Sequence, residues 1–250
     1  MGGASRNEKR RKQTVSDRRL AAAGIRVPQK RNRAPVIVVA VVLVLAVVVG
    51  GALLVARVLN RDVDPTYTAK ADAAVVTAGT GPVVIDVYED YLCPSCERFE
   101  KTYGNDVTTA LNDGKITVRF HTIAILDAQS NPAGYSTRAG NAALCAVPAG
   151  IYPRYHKKLF DVQPAESSAG LSVDQLISLG TDLGAQGDFA GCVKGNTHLN
   201  EMAAETKKAT ADTALQNDKG QFGTPTVAIG GKKIDLNDTS WLQKAIAGQS

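Results

Sequence analysis

Apolar residues follow two different periods on either side of residue 93. Between Pro82 and Tyr88 the chain is rich in β-branched residues and predicts a buried strand. Phe99, Tyr103, Val107 and Leu111 then recur every fourth residue and mark one face of a helix. Pro94 suits the first helical position, where its missing N–H costs nothing, and Asn112-Asp113-Gly114 closes the helix. Next, Ile116, Val118 and Phe120 alternate with Thr117, Arg119 and His121, the pattern of a strand with one polar side. With Val75-Val76 as a short first strand, the pattern predicts a βαβ unit.

Asp127 to Pro132 reads as a loop, and Tyr135 to Leu215 as helices punctuated by Pro148, Pro153 and Pro164. Within that stretch Ser172 and Gln175 match a capping box, and Leu171 and Leu176 a hydrophobic staple. Another helix is expected from Thr197 to Leu215. Thr226 to Ile229, Gly230-Gly231 and Lys232 to Leu236 read as a β-hairpin with a glycine turn, and Thr239 to Ala247 as a closing helix. The order βαβ, helices, ββα predicts an α/β domain over residues 73–250 with a helical insertion at about 127–215. Its length suffices for one hydrophobic core.

The N-terminal part has a different pattern. Residues 1–33 hold eleven Lys or Arg and two acids, a net +9, so residues 34–250 carry −4 of the total +5. Ala34 to Ala56 follow as an uncharged run of Val, Leu and Ala, about 34 Å long as a helix and enough to cross a hydrocarbon core of about 30 Å. We expect a basic cytoplasmic tail (1–33), a transmembrane helix (34–58), a linker (59–72) and an extracytoplasmic domain, because positive flanks stay inside. The lipid bilayer is thus the expected partner of the tail and span, and no nucleic acid partner is expected. A cleavable signal peptide is the rival reading, but the apolar run exceeds the usual length and no small-x-small site follows it. The linker is too short for a dimerisation domain, so a monomer is expected.

The chemistry lies where the two periods meet. Cys93-Pro94-Ser95-Cys96 places Cys93 at the start of the helix, where unpaired N–H groups and the helix dipole stabilise a thiolate, and Cys96 one turn further in. That is a redox pair. Half of a zinc site is the alternative, but Cys145 and Cys192 are far apart and neither has a neighbouring cysteine to complete one. Four cysteines outside the membrane suit an oxidising compartment, and the even count suggests that Cys145 and Cys192 form a structural disulfide. Two buried free thiols are the alternative. His121, His156 and His198 lack metal-ligand spacing and receive no role, and no metal is expected. Glu89 and Asp90 read as solvated strand-end residues, while Tyr91 and Leu92 either line a groove or pack beneath it.

From about residue 73 the chain resembles the thioredoxin superfamily, and within it the membrane-anchored DsbA-type oxidoreductases of actinobacterial type. The resemblance rests on Asp90-Tyr91-Leu92-Cys93-Pro94-Ser95-Cys96 and on Phe222-Gly223-Thr224-Pro225-Thr226. It implies a thioredoxin-like fold with a helical insertion, a cis peptide before Pro225, and catalytic roles for Cys93 and Cys96. Pro94, Ser95, Thr224 and Pro225 then serve as active-site support and substrate-binding residues. Many relatives carry a buried acid six residues before the first cysteine, a position held here by Val87. Asp86 is one residue off and so on the opposite face of the strand.

The expected function is thiol:disulfide exchange in the oxidase direction on exported cysteine-containing proteins, without a bound cofactor. The resemblance implies recycling by a membrane quinone-linked enzyme of the DsbB or vitamin K epoxide reductase-like kind. An extracytoplasmic reductase or isomerase would use the same cysteines in reduced form, and a non-catalytic binding or scaffold domain would keep the fold alone. The Cys93/Cys96 reduction potential separates the first two.

Overall fold

The computed structural model describes residues 3–24, 37, 38, 45, 47–51 and 62–248. The chain divides into two units, Met1–Arg61 and Asp62–Ser250. In the first, α1 (Gly3–Ala22) is polar on every side, so helix-forming Arg, Lys and Ala residues and the exposed Glu8–Lys12 pair sustain it rather than a buried face. The sequence reading assigned no helix there. Most of the expected span at 34–58 lies outside the described residues, and among those described no helix is long and apolar enough to cross a membrane.

The second unit is built on a six-stranded sheet ordered β1-β2-β4-β3-β5-β6. The strands are β1 (Ala69–Asp72), β2 (Val75–Gly79), β3 (Val83–Glu89), β4 (Ile116–Thr122), β5 (Thr226–Ile229) and β6 (Lys232–Lys233). Among the described strands only β3 and β4 pair in parallel, joined by α2 (Pro94–Asn112). The expected βαβ unit is thus present. The hairpin's second arm is shorter than expected, since β6 holds two residues.

The two faces of the sheet bury different chemistry. Ile85 and Val87 of β3, with Ile116, Val118 and Phe120 of β4, share an apolar core with the α2 stripe of Phe99, Val107 and Leu111. Trp241 of α8 (Trp241–Ile246) stacks on Phe99 in the same core. On the opposite face, Asp86 and Tyr88 lie beside Arg119 and His121, their neighbours in the β3–β4 register. A smaller cluster of Ile123, Ala209, Leu215 and Ala228 packs with half-buried Tyr88 and Phe222.

The insertion comprises α3 (Tyr135–Cys145), α4 (Tyr152–Asp161), α5 (Val173–Asp182), α6 (Phe189–Lys194) and α7 (Leu199–Ala211). Leu144, Tyr155, Leu159, Phe160, Leu176 and Val193 are buried in the main core, so the insertion is continuous with the domain. The Ser172–Gln175 capping box forms at the start of α5, with both reciprocal bonds. A bond between Cys145 and Cys192 ties the end of α3 to α6. Gly180 lets α6 approach α5, since a Cβ there would lie 2.1 Å from the Phe189 ring. The helix expected from Thr197 to Leu215 ends at Ala211, where extended Asp212 accepts a bond from the Ala214 amide and starts a separate 3-10 turn.

Residues 62–72, read as linker, are fastened to the domain. The Asn105 and Asn112 side chains of α2 accept from the Val63 and Thr66 amides at 3.0 and 2.7 Å, and β1 opens the sheet at Ala69. A polar stretch with few apolar residues gives no sign of this, because its partners are asparagine side chains far along the chain.

Candidate active site

Strand β3 ends at Glu89, and a tight turn delivers Cys93 to the N-cap of α2. Asp90 builds the turn: its carboxylate accepts from the Leu92 and Leu126 amides at 2.9 Å each, and its carbonyl accepts from the Cys93 amide at 2.9 Å. Pro94 is the first helical residue and Cys96 lies within the first turn. The Cys93 carbonyl accepts from the Cys96 and Glu97 amides. Ser95 accepts from Arg98 Nη2 at 2.8 Å.

The two sulfurs are not equivalent. Both are free thiols, Cys93 is 6 % exposed and Cys96 1 %. A hydrogen bond from Cys96 to Cys93 lowers the Cys93 pKa to about 6 against the opposing effect of burial, with the Cys96 and Ser95 amides helping. Burial pushes Cys96 well above its ordinary value, and the charge on Cys93 adds to this. Near neutral pH the pair is therefore a Cys93 thiolate beside a Cys96 thiol.

The late loop faces this pair. The Thr224–Pro225 peptide is cis, and the Thr224 carbonyl lies 3.2 Å from Cys93 Sγ, where it accepts from the protonated thiol. Beside it a cavity of about 630 Å³ opens, lined by Thr210, Asn217, Gln221, Phe222, Thr224 and Pro225 among others. The fold thus brings Cys93, Pro94, Ser95, Cys96, Thr224 and Pro225 together, while Cys145 and Cys192 join each other elsewhere.

Two acids depart from expectation. Glu89 and Asp90, read as solvated, are buried at 1 % and 0 % exposure. Burial raises the Asp90 carboxyl to about 6 against its two amide donors. Glu89 Oε1 bonds His156 Nε2 inside a ring of Tyr91, Phe120, Tyr152 and Phe160. Burial disfavours charge on His156, but the Glu89 carboxylate outweighs it and raises the pKa to about 8. Burial also raises Glu100 to about 7. One ligand atom each from Glu89, Glu100 and His156 falls within 4.8 Å of the others, the one all-free set among the described residues with the donors for a cation; charge pairing with His156 accounts for the buried Glu89. The strand-end reading failed because α4, which supplies His156, arrives from the insertion.

Tyr91 and Leu92 are fully buried and pack beneath the site. Gln163 was not singled out from sequence; its Nε2 donates to the carbonyls of Tyr91 and Cys93 at 3.0 and 3.1 Å, bracing the turn from the end of α4. No local signal marks it. Asp86 points to the face away from the cysteines, where Arg119 and His121 hold it.

Comparison with known proteins agrees with this geometry. Residues 72–247 match the family model described as Thioredoxin. The chain belongs to the thioredoxin family. It is 33% identical over 181 residues to the serine/threonine-protein kinase PknE of Mycobacterium tuberculosis, covering 70% of this chain and 31% of that one. The chain thus spans about a third of the length of the curated relatives it matches. Among solved structures, the thioredoxin-family domain resembles the reduced disulfide oxidoreductase DsbG of M. tuberculosis, with 29% identity, a TM-score of 0.59, and coverage of 71% of this chain and 86% of that one. It also resembles reduced DsbA of M. tuberculosis, with 25% identity, a TM-score of 0.56, and coverage of 72% and 100%.

Proposed function

We propose that this chain is a membrane-tethered thiol:disulfide oxidoreductase that donates the Cys93–Cys96 disulfide to exported proteins. The observation that carries the reading is the asymmetry of the pair: Cys93 at the N-cap of α2, its thiolate stabilised by the Cys96 thiol and the Cys96 and Ser95 amides, beside a more deeply buried, high-pKa Cys96. A substrate thiolate attacks Cys93 of the oxidised pair. The Cys93–Cys96 bond breaks, a Cys93–substrate bond forms, and Cys96 leaves as a thiolate that takes up a proton. The substrate's second thiolate then attacks the substrate sulfur of the mixed disulfide, and Cys93 leaves as a thiolate. The substrate has lost two electrons and the cysteine pair has gained them.

A thiolate held at low pKa is a good leaving group, which favours the oxidase direction. Two electrons must then pass to a recycling partner, and a membrane quinone-linked enzyme of the DsbB or vitamin K epoxide reductase-like kind fits a domain tethered by the +9 tail and apolar run. Equilibration of the full chain with glutathione buffers tests the direction. A potential near −120 mV, the value for DsbA, supports an oxidase, and one near −270 mV, that of thioredoxin, makes it a reductant. Cys96→Ala should trap mixed disulfides at Cys93. Faster alkylation at Cys96 than at Cys93 would overturn the assignment.

A further inference from the structure

The polar face of the sheet carries a device that the exchange reaction itself does not use. His121 Nε2 lies 3.0 Å from Asp86 Oδ1 and its Nδ1 2.7 Å from Glu205 Oε1. A neutral imidazole has one N–H and can donate to only one of them. Asp86 also accepts two bonds of 2.6 Å from Arg119, which keeps it ionised, and Lys208 stands 3.7 Å from Glu205. With both carboxylates charged, His121 must carry two protons. The imidazolium thereby joins β3, β4 and α7.

One face of this ring leads to the active site. Tyr88 stacks on His121 with ring centroids 4.0 Å apart and planes 19° from parallel, and meets Phe222 edge-on at 6.1 Å. Phe222 stands two residues before Thr224, whose carbonyl faces Cys93. Thr226, opposite Tyr88 in the β3–β5 register, donates to the Gly223 carbonyl at 2.7 Å. We propose that His121, as an imidazolium clamped between Asp86 and Glu205, is a positioning residue that sets the Thr224–Pro225 loop through Tyr88 and Phe222. The inference rests on the exchange reading, since it assigns that loop the task of holding substrate backbone.

The charged and titratable groups around His121 are Asp86 and Tyr88 from β3, Arg119 from β4, and Glu205 and Lys208 from α7, while Asp212, from the turn after α7, acts on the stacked Tyr88. Burial works against the imidazolium, but the two carboxylates outweigh it and raise the folded pKa above 6.5. Below that ordinary value the clamp is complete; as pH rises through the folded pKa, one buried carboxylate loses its donor and the ring loses its charge against Tyr88.

The full chain in lipid nanodiscs tests this by two readouts. Spectra of ¹⁵N-histidine, with His121 assigned through His121→Gln, should show both ring nitrogens protonated at about pH 6. With a dithiol peptide as substrate, Tyr88→Ala should raise KM about tenfold, change kcat and Cys93 alkylation by less than about twofold, and abolish a rise of KM with pH that follows the His121 titration. Tyr88→Phe keeps the ring and should restore KM. A singly protonated His121 at that pH overturns the proposal, as does Tyr88→Ala with unchanged KM, even if its Tm falls. If the wild-type chain exchanges no disulfides, the redox reading fails by itself. The clamp is then judged from the histidine spectra and from the Thr224 amide shift, which should move in Tyr88→Ala and not in Tyr88→Phe.

Discussion

Each face of the central sheet buries a histidine against carboxylate, and the two do so differently. His156, buried on the apolar face of the sheet, has Glu89 as its bonded partner and aromatic rings around it. His121, on the opposite face, has two carboxylates, and Asp86 in turn bonds the half-exposed Arg119. In the first place a removed partner leaves the charge in a low-dielectric core beside Glu100, a carboxyl that burial itself raises to about 7; in the second, the remaining carboxylate is held ionised by Arg119 and nearby solvent shares the load. The position of an ion pair, more than its composition, determines what it does for stability.

Glu89→Ala therefore should be the most damaging single change, costing about 4 kcal/mol in urea unfolding, whereas Glu205→Ala should cost about half of that because His121 keeps Asp86. Equal losses would erase the contrast between the faces. The Cys145–Cys192 bond fastens α3 and α6, whose residues pack in the core of the first face, and its double replacement by alanine should lower stability by about 3 kcal/mol without changing the Cys93 alkylation rate. A changed rate would mean that the bond reaches the active site.

The pH dependence should sharpen the comparison further. His156 is raised to about 8 in the fold, so its pairing with Glu89 contributes fully below about 6.5 and is lost as pH rises through about 8. The stability gap between the oxidised wild type and Glu89→Gln should narrow by about 2 kcal/mol between pH 6 and pH 9. A gap that stays constant would show that His156 is not charged. The smallest effect is expected far from both histidines: Ser172→Ala removes the exposed capping box of α5 and should cost about 1 kcal/mol, with no change in redox potential.

Strands β2 to β5, α2 and the capping box of α5, though not β1, could be read from the chain because each depends on neighbours within one element: the period of Phe99 to Leu111, the alternation of Ile116 to Phe120, the Ser172–Gln175 pair. The cysteine pair was legible for the same reason, since Pro94 and the helix start are local to it. Glu89 and Asp90 were misread because local polarity suggests solvent, and only α4 and the Ile123–Leu126 segment, brought from elsewhere in the chain, make their burial tolerable. Gln163 left no local trace at all.

The strand-to-helix delivery of Cys93, the helical insertion and the face on which Asp86 lies follow from the order of residues, because strand alternation and helix termini are short-range physics. The even cysteine count already suggests the Cys145–Cys192 pair and the family resemblance the Thr224–Pro225 loop, and the fold bears both out; which carboxylate each buried histidine serves is visible only in the packed structure. Those are contacts between segments far apart in the chain, and a buried charge becomes affordable only when the fold supplies its partner at hydrogen-bonding distance.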